Sequence, residues 1–286
     1  MTTGNALKTV FLLGLLSGVL LLGGQALGGR NGMYLGLILA IVMNFVGYFF
    51  SEKIALSMYS AQPVSPSANP EVYRRIGPMT ELLCRKMGLP MPKLWVIPDD
   101  SPNAFATGRN PKHSSVAVTH GLLQVMENRE LEGVVAHELG HILHRDILIS
   151  SVAATLAAAI TNLAHMAFFF GGRRDDDEDS GGGIVGGMLM LILGPIAAML
   201  IQMAISRTRE YAADAAAARY TGSPTGMIAA LTKLDSWSKR IPMHASPATA
   251  HMFIIQPFSG QSMMKLFSTH PSTEERIARL QALRAQ

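Results

Sequence analysis

A pair of histidines four residues apart places the strongest constraint on how this chain can fold. The run His137-Glu138-Leu139-Gly140-His141 lies in a segment whose apolar residues recur at helical spacing. Because an α-helix advances about 100° per residue, His137 and His141 lie on one face and can bind one metal ion. Neutral imidazoles are good ligands for Zn²⁺, and two of them leave room for a third ligand and a water molecule. Glu138 can take a proton from that water, so the run matches the H-E-x-x-H motif of zinc peptidases.

The residues around the motif predict a buried, well-capped helix. Asn128 is a good N-cap, and Glu130 and Glu132 lie in the first turn, where the helix dipole favours acids. An apolar stripe follows, formed by Leu131, Val134, Val135, Leu139, Ile142 and Leu143. The alternative is a chance match to five residues, and the helical context and a third ligand downstream count against it.

Glu210 and Asp214 are the predicted third ligand and its neighbour. They lie in an Ala-rich helical stretch and share a face at i, i+4. Glu210 would complete a His₂Glu site, while Asp214 would accept the outer N–H of a ligand histidine. One alternative is an ordinary solvated helix in which Arg207 and Arg209 pair with these acids. Another is His144 as the third ligand, but its spacing does not match the metzincin pattern, and it is interpreted as a polar residue at the helix end.

Long runs without charged residues indicate helices that cross a membrane. The chain is 49% hydrophobic and only 15% charged, which is typical of a protein partly embedded in lipid. Four such runs are each long enough to cross about 30 Å of hydrocarbon, at about residues 9–29, 31–51, 148–171 and 183–205. An alternative for the first run is a cleaved signal peptide, and an alternative for either of the last two is a buried helix of a soluble domain.

These runs divide the chain into four parts. Residues 1–59 are predicted to form an N-terminal transmembrane hairpin, and residues 147–206 a second one. Between them, residues 60–146 form a protease part with a sheet and the motif helix. Residues 207–286 form a helical part that carries the third ligand. The predicted fold class is therefore mainly α with a small β-sheet, with multi-pass membrane helices.

The protease part contains three short segments rich in β-forming residues. They are Lys93–Ile97, Ala104–Thr107 and Ser114–Val118, and they predict a small antiparallel sheet whose edge would hold a substrate as an added strand. Residues 60–70 are predicted to be a linker, and Gly77-Pro78 is expected to break or kink a helix over residues 71–87. Residues 241–267 are predicted to form a mobile Met-rich loop, and Ser272 with Glu275 a capping box for the last helix.

Four motifs carry a resemblance to a known family. They are Asn103-Ala-Phe-Ala-Thr-Gly-Arg109, the His-Glu-Leu-Gly-His run, Ser206-Arg-Thr-Arg-Glu-Tyr-Ala-Ala-Asp214 and His270-Pro-Ser-Thr-Glu-Glu-Arg276. In this order, over nearly the whole chain, they resemble the HtpX family of membrane zinc metalloproteases, relatives of the CAAX prenyl proteases. The resemblance implies a gluzincin-type domain that binds one Zn²⁺ through His137, His141 and Glu210.

The resemblance also implies roles for individual residues. Glu138 would be the general base for attack by the zinc-associated water, and His270 would donate to the oxyanion. Arg276 would orient a ligand carboxylate. Asn103 would hydrogen-bond the substrate backbone or the oxyanion, although a turn-forming Asn is an equally good interpretation.

The biological expectations follow from the same resemblance. The family cleaves misfolded or damaged membrane proteins in quality control and stress response at the bacterial inner membrane, so the expected partners are such proteins and the lipid bilayer. The net charge of +4 is too small to favour nucleic acid. Two alternatives are a catalytically silent scaffold or chaperone, which would need no Glu138, and a specific peptide-processing protease of CAAX type, which would need more spans.

The positions of basic residues predict the topology. Of the 24 Lys and Arg residues, only Lys8, Arg30, Arg173 and Arg174 lie outside residues 51–147 and 206–286. Because Lys and Arg accumulate on the cytoplasmic side, both termini and the catalytic part are predicted to be cytosolic. The single cysteine, Cys84, excludes an internal disulfide and fits a reducing compartment.

Overall fold

Helices account for most of the chain, and one small sheet lies beside them. The computed structural model describes residues 3–157, 160, 207–238, 240–241, 249–255 and 271–284. The helices are α1 (Thr3–Phe49), α2 (Ser51–Met58), α3 (Pro70–Met87), α4 (His120–Val125), α5 (Asn128–His144), α6 (Ile147–Ala157), α7 (Arg207–Thr221), α8 (Thr225–Ser238) and α9 (Thr273–Arg284). The strands are β1 (Gln62–Val64), β2 (Lys93–Ile97), β3 (Ala104–Asn110) and β4 (His113–Thr119), and a 3₁₀ turn spans Ala250–Met252.

The first helix folds back on itself. α1 reverses direction at Gly29, whose φ of +57° lies in the left-handed region that favours glycine. The two arms lie against each other, and the side-chain amide of Asn44 donates to the hydroxyl of Ser17 over 2.9 Å. Near the reversal the arms approach so closely that a Cβ on Gly24 would lie 2.2 Å from the carbonyl oxygen of Gly32. Glycine at these positions therefore permits a tight helical hairpin.

Both arms of α1 are long and apolar enough to cross a membrane. They are Leu7–Gln25 and Gly29–Phe49, and only 17% and 22% of their apolar windows are buried inside the protein. Leu22 and Leu35 are 69% and 68% exposed, and such an outer surface is favourable in lipid and unfavourable in water. The arms coincide, to within a few residues, with the first two predicted spans.

α6 packs against this hairpin. A buried apolar cluster joins them and includes Leu12, Leu16 and Met43 from α1 and Leu148, Val152 and Leu156 from α6. α6 coincides with the first part of the predicted span 148–171. The rest of that span and the whole of span 183–205 lie outside the described residues, so the division into two hairpins and two protease parts stays a prediction.

The sheet is mixed, with strand order β1-β2-β4-β3. The three predicted strands lie where they were expected, but the prediction of an antiparallel sheet is wrong in part, because β2 and β4 are parallel. The chain leaves β2, forms the outer strand β3 and returns antiparallel to it as β4, which places β4 between the two. β1 lies in the predicted linker and pairs antiparallel with β2. Its Pro63, which has no N–H to donate, is tolerated because β1 is an edge strand.

α5 is at the centre of the protease part, and most of its residues are buried. α7 and α8 approach it at glycines: a Cβ on Gly133 would lie 2.8 Å from the backbone nitrogen of Met227, and one on Gly140 would lie 3.0 Å from Cα of Ala213. Helices that pack at such short range hold their side chains in fixed relative positions. The packing of α7 on α5 therefore determines where the predicted third ligand lies relative to the motif histidines.

The structure corrects two local predictions. The N-cap of α5 is Glu127 instead of Asn128, and it forms a capping box in which Glu130 accepts from the Glu127 N–H over 2.7 Å. α3 is continuous from Pro70 to Met87, which confirms the helix predicted over residues 71–87 and shows that Gly77-Pro78 does not break it. Its buried face, which includes Val72, Ile76, Thr80 and Leu83, runs through the proline, and its packing offsets the missing hydrogen bond. At α9 the predicted cap is confirmed in part, because the Glu275 N–H donates to the Ser272 hydroxyl over 3.2 Å.

Cys84 of α3 is expected to be unreactive in the folded protein. Burial, with a smaller contribution from the Glu81 carboxylate, raises the pKa of its thiol to about 11. The thiolate is the reactive form, so at pH 8 a disulfide reagent should modify the folded protein about 10²-fold more slowly than the denatured chain. Measurement of the rate of modification with and without denaturant checks this, and equal rates would show that the thiol is accessible.

Candidate active site

Three predicted ligand residues meet between α5 and α7. Nε2 of His137 and Nε2 of His141 lie 3.2 Å apart. Nε2 of His137 lies 3.6 Å from Oε2 of Glu210, and Nε2 of His141 lies 3.6 Å from the other oxygen, Oε1. All three ligand atoms fall within 4.8 Å of one another. A tetrahedral metal with ligands at about 2.0–2.1 Å separates them by about 3.3 Å, so the observed distances fit such an ion. His144, at the last turn of α5, is not in this group.

The outer nitrogen of His137 is held by a buried ion pair. Its Nδ1 lies 2.9 Å from a carboxylate oxygen of Asp214, as the i, i+4 spacing from Glu210 predicted. Arg276 from α9 donates to both oxygens of that carboxylate, through Nε over 2.8 Å and through Nη2 over 2.7 Å. Although burial opposes ionisation, the guanidinium holds the pKa of Asp214 below its usual range. Arg276 also lies 3.5 Å from an oxygen of Glu210, so it contacts the ligand carboxylate as well as its neighbour.

The outer nitrogen of His141 is held by a residue that the sequence did not indicate. Nδ1 of His141 lies 3.2 Å from Oδ1 of Asp146, which is buried just beyond the end of α5. Although burial opposes the charged imidazole, the Asp146 carboxylate raises the pKa of His141 to about 10. At His137 burial dominates and lowers the pKa. The acids around His141 thus create a local field that favours positive charge, whether the charge is a proton or a metal ion.

Glu138 is 1% exposed and accepts a hydrogen bond from the backbone N–H of Ala106 in β3. Its Oε2 is buried and, among the described residues, has no hydrogen-bond partner. Burial raises the pKa of Glu138 to about 7, although His141 acts in the opposite direction. A buried carboxylate oxygen of this kind is able to bind a water molecule.

A narrow cleft runs past these groups. One side is formed by Ala106, Glu138, His141 and Glu210, and the other by residues 251–254. The centre of a water molecule can occupy a volume of about 30 Å³ in this cleft, which is enough for one or two water molecules. Phe253 and Ile254 are only 1% and 2% exposed, so this part of the predicted mobile loop is instead a buried wall of the cleft. The apolar residues of the wall explain the difference, because they pack into the core.

The wall also contacts the edge of β3. The Ile254 N–H donates to the carbonyl of Ala104 over 3.1 Å, and the side-chain amide of Asn103 donates to the carbonyl of Ile255 over 3.1 Å. Asn103 is therefore buried against the chain's own residues, and its predicted contact with a substrate stays untested. His270 lies outside the described residues. No short-range sequence pattern connects residues 251–255 with β3, which is why the wall was not predicted.

Comparisons with known proteins show which family the chain belongs to. Residues 67–284 match the family model of Peptidase family M48. The chain is 54% identical over 286 residues to a "Protease HtpX homolog" of Desulfatibacillum aliphaticivorans, covering 99% of this chain and 91% of that protein. It is 52% identical over 281 residues to a "Protease HtpX homolog" of Thermodesulfovibrio yellowstonii, covering 98% of each. Among solved structures, the crystal structure of S. mikatae Ste24p matches with a TM-score of 0.49 and 19% identity, over 97% of this chain and 65% of that one. The chain therefore belongs to peptidase family M48, within which it is a membrane metalloprotease of the HtpX family.

Proposed function

We propose that the metal is a single Zn²⁺ held by His137, His141 and Glu210 and that the enzyme is a gluzincin-type endopeptidase. The observation that carries the proposal is the cluster of three ligand atoms, one each from His137, His141 and Glu210, which lie within 4.8 Å of one another, with the two Nε2 atoms 3.2 Å apart. Zinc is commonly bound by two histidines and a glutamate. Calcium and magnesium prefer oxygen ligands, so the two imidazoles favour zinc over either of them. When bound, Zn²⁺ supplies Lewis acidity to a water molecule and to the scissile carbonyl.

The chain's own residues then perform the proton transfers. Glu138 is the general base: it is buried, it lines the cleft in which a water molecule fits, and its Oε2 has no hydrogen-bond partner among the described residues. It takes a proton from the attacking water and passes it to the nitrogen of the leaving amine. Asp214 fixes the ring of His137, and Arg276 fixes Asp214. His270 remains the proposed donor to the oxyanion on the basis of the family resemblance alone.

We propose that a polypeptide substrate enters between β3 and the wall at residues 251–254. The outward-facing backbone of β3 near Ala106 lies beside Glu138, where a substrate strand would place its scissile bond close to the base. The space there admits one or two water molecules, so the wall must move aside for a peptide to bind. A site that opens to extended chain suits unfolded clients. The proposed substrates are accordingly misfolded or damaged membrane proteins, the role implied by the resemblance to HtpX.

We place the enzyme in the bacterial inner membrane with four spans and with both termini and the catalytic part in the cytosol. Two observations support this arrangement: the exposed apolar surface of the α1 hairpin, and the packing of α6 against it. The distribution of Lys and Arg supports the orientation. A second hairpin over residues 147–206 would return the chain to the side where Glu210 meets the motif histidines.

Removal of the metal is the direct test. Detergent-purified protein should contain about one zinc per chain and cleave an unfolded protein such as casein. Treatment with a chelator should abolish cleavage, and a stoichiometric amount of Zn²⁺ should restore it, while Mg²⁺ should not. Protein that holds zinc but cleaves nothing would favour the scaffold or chaperone alternative. Protein that cleaves without bound metal would contradict the proposal.

A further inference from the structure

The outer ring nitrogen, Nδ1, of each motif histidine contacts a buried carboxylate. Asp214 serves His137, and Asp146 lies against His141 with its two carboxylate oxygens 3.2 and 3.3 Å from Nδ1. The inner nitrogens of the two rings face each other at 3.2 Å. The arrangement is therefore matched on both sides of the proposed metal position, although only Asp214 follows from helical spacing.

The end of α5 brings Asp146 to this place. Arg145 adopts the left-handed conformation with φ of +57°, and its N–H donates to the carbonyl of Ile142 over 3.1 Å. The Asp146 N–H donates to the carbonyl of His141 over 3.2 Å, which completes a Schellman-type ending. The left-handed conformation is unfavourable for a residue other than glycine. Arg145 adopts this conformation at the position where the backbone turns and brings the Asp146 carboxylate to the ring of His141.

A capping role for Asp146 is the simpler explanation. Asp146 immediately precedes α6, the Ser150 N–H donates to its carbonyl over 3.4 Å, and aspartate is a favoured N-cap. In a cap, however, the carboxylate would accept from N–H groups of the following helix. Here it contacts the ring of His141 and lines the catalytic cleft, and the residue is only 2% exposed.

We propose that Asp146 is a positioning residue for the metal, an inference that rests on the metal site proposed above. Its carboxylate accepts a hydrogen bond from the Nδ1–H of His141. This fixes the tautomer in which Nε2 carries a lone pair that can bind the metal. It also fixes the rotation of a ring that is less buried than that of His137. Loss of this contact should weaken metal binding while the fold persists.

Two substitutions separate positioning from capping. Asp146→Ser keeps a good N-cap but is too short to reach the ring, whereas Asp146→Asn keeps both the cap and an acceptor for the Nδ1 hydrogen. Asp100→Ser, at an exposed position, controls for the change in charge. Full-length proteins would be purified in detergent and dialysed against graded chelator, and their zinc content measured. The thermal midpoint of each metal-free protein would be measured in parallel.

We expect Asp146→Ser to lose zinc at a chelator concentration about 10- to 100-fold lower than the wild type, while its metal-free midpoint matches that of Asp146→Asn, which lacks the same charge. Asp146→Asn should recover most of the difference, and Asp100→Ser should match the wild type. If Asp146→Ser retains zinc as the wild type does, or if both Asp146 variants lose zinc only together with metal-free stability, the inference is wrong. Wild-type protein that takes up no zinc overturns the metal site itself, which the other outcomes leave standing.

Discussion

The Glu138→Gln variant is expected to keep its metal and to lose proteolysis. Glutamine has the same shape as glutamate, so the buried position and the contact with the Ala106 N–H can be retained. It cannot take a proton from water at neutral pH. Loss of a positioned general base typically lowers the rate by about 10²- to 10⁴-fold. The rate of cleavage of an unfolded substrate should therefore fall by at least about 10²-fold. Zinc content should remain near that of the wild type, because Glu138 is not one of the three ligands.

A matched variant on the same helix tests whether the effect belongs to the site. Glu132 lies nearly two turns before Glu138, is half-buried and does not line the cleft. Glu132→Gln removes the same charge from α5 and should cleave at the wild-type rate. Wild-type activity in both variants would exclude Glu138 as the base. Equal loss in both would indicate that the charge of α5, and not a proton acceptor at one position, controls the rate.

The sequence predicted those parts of the site that depend on one helix. His137 and His141 follow from i, i+4 spacing, and so do Glu210 and Asp214, because a helix fixes the angle between residues four apart. The meeting of the two pairs was predicted because a His₂ motif needs a third ligand, and the family resemblance supported it. Its physical basis is the packing of α7 on α5 at Gly140 and Ala213, which brings the two backbones together.

Features that depend on backbone geometry or on distant segments were not predictable in this way. Asp146 reaches His141 only because Arg145 adopts a left-handed conformation, which the presence of an arginine does not suggest. The β1 strand is three residues long and contains a proline, so it gives no alternating pattern. The order of the strands is not encoded in local propensity: β4 returns antiparallel to β3 and lies between it and β2, which makes β2 and β4 parallel.

The position of Arg276 connects the fold to the site. It comes from the last helix, yet it is 2% exposed and contacts both the wall of the cleft and the neighbours of His137. Its Nη1 donates to the carbonyl of Ile254 over 2.8 Å, while its other nitrogens bind Asp214. One guanidinium therefore links α9, the cleft wall and α7. Any movement of the wall that admits a substrate must either carry this hydrogen bond along or break it.

Loss of Arg276 is expected to destabilise the protein strongly. Arg276→Met leaves the charge of Asp214 buried without its cation, and removal of one partner of a buried pair costs about 3–5 kcal/mol of unfolding free energy. For a protein of this size the apparent thermal midpoint should fall by on the order of 10 °C. Scans at one heating rate in detergent would measure it, since unfolding of such proteins is often irreversible. Arg279→Met provides the control, because Arg279 is on the same helix but its side chain is 59% exposed and its ion pair with Glu275 is a surface pair of small effect.

A double substitution decides whether the ion pair is the cause. In Arg276→Met combined with Asp214→Asn, residue 214 no longer carries a buried charge without its cation, so the double variant should be more stable than Arg276→Met alone. If the losses of unfolding free energy in the two single variants simply add, Arg276 stabilises the protein through packing and its hydrogen bond to Ile254, and not through Asp214. Because Asp214 also holds the ring of His137, the double variant should still bind zinc less tightly than the wild type even where its stability recovers. Recovery of the thermal midpoint without recovery of zinc affinity would show that one ion pair serves the fold and the metal site through separate contacts.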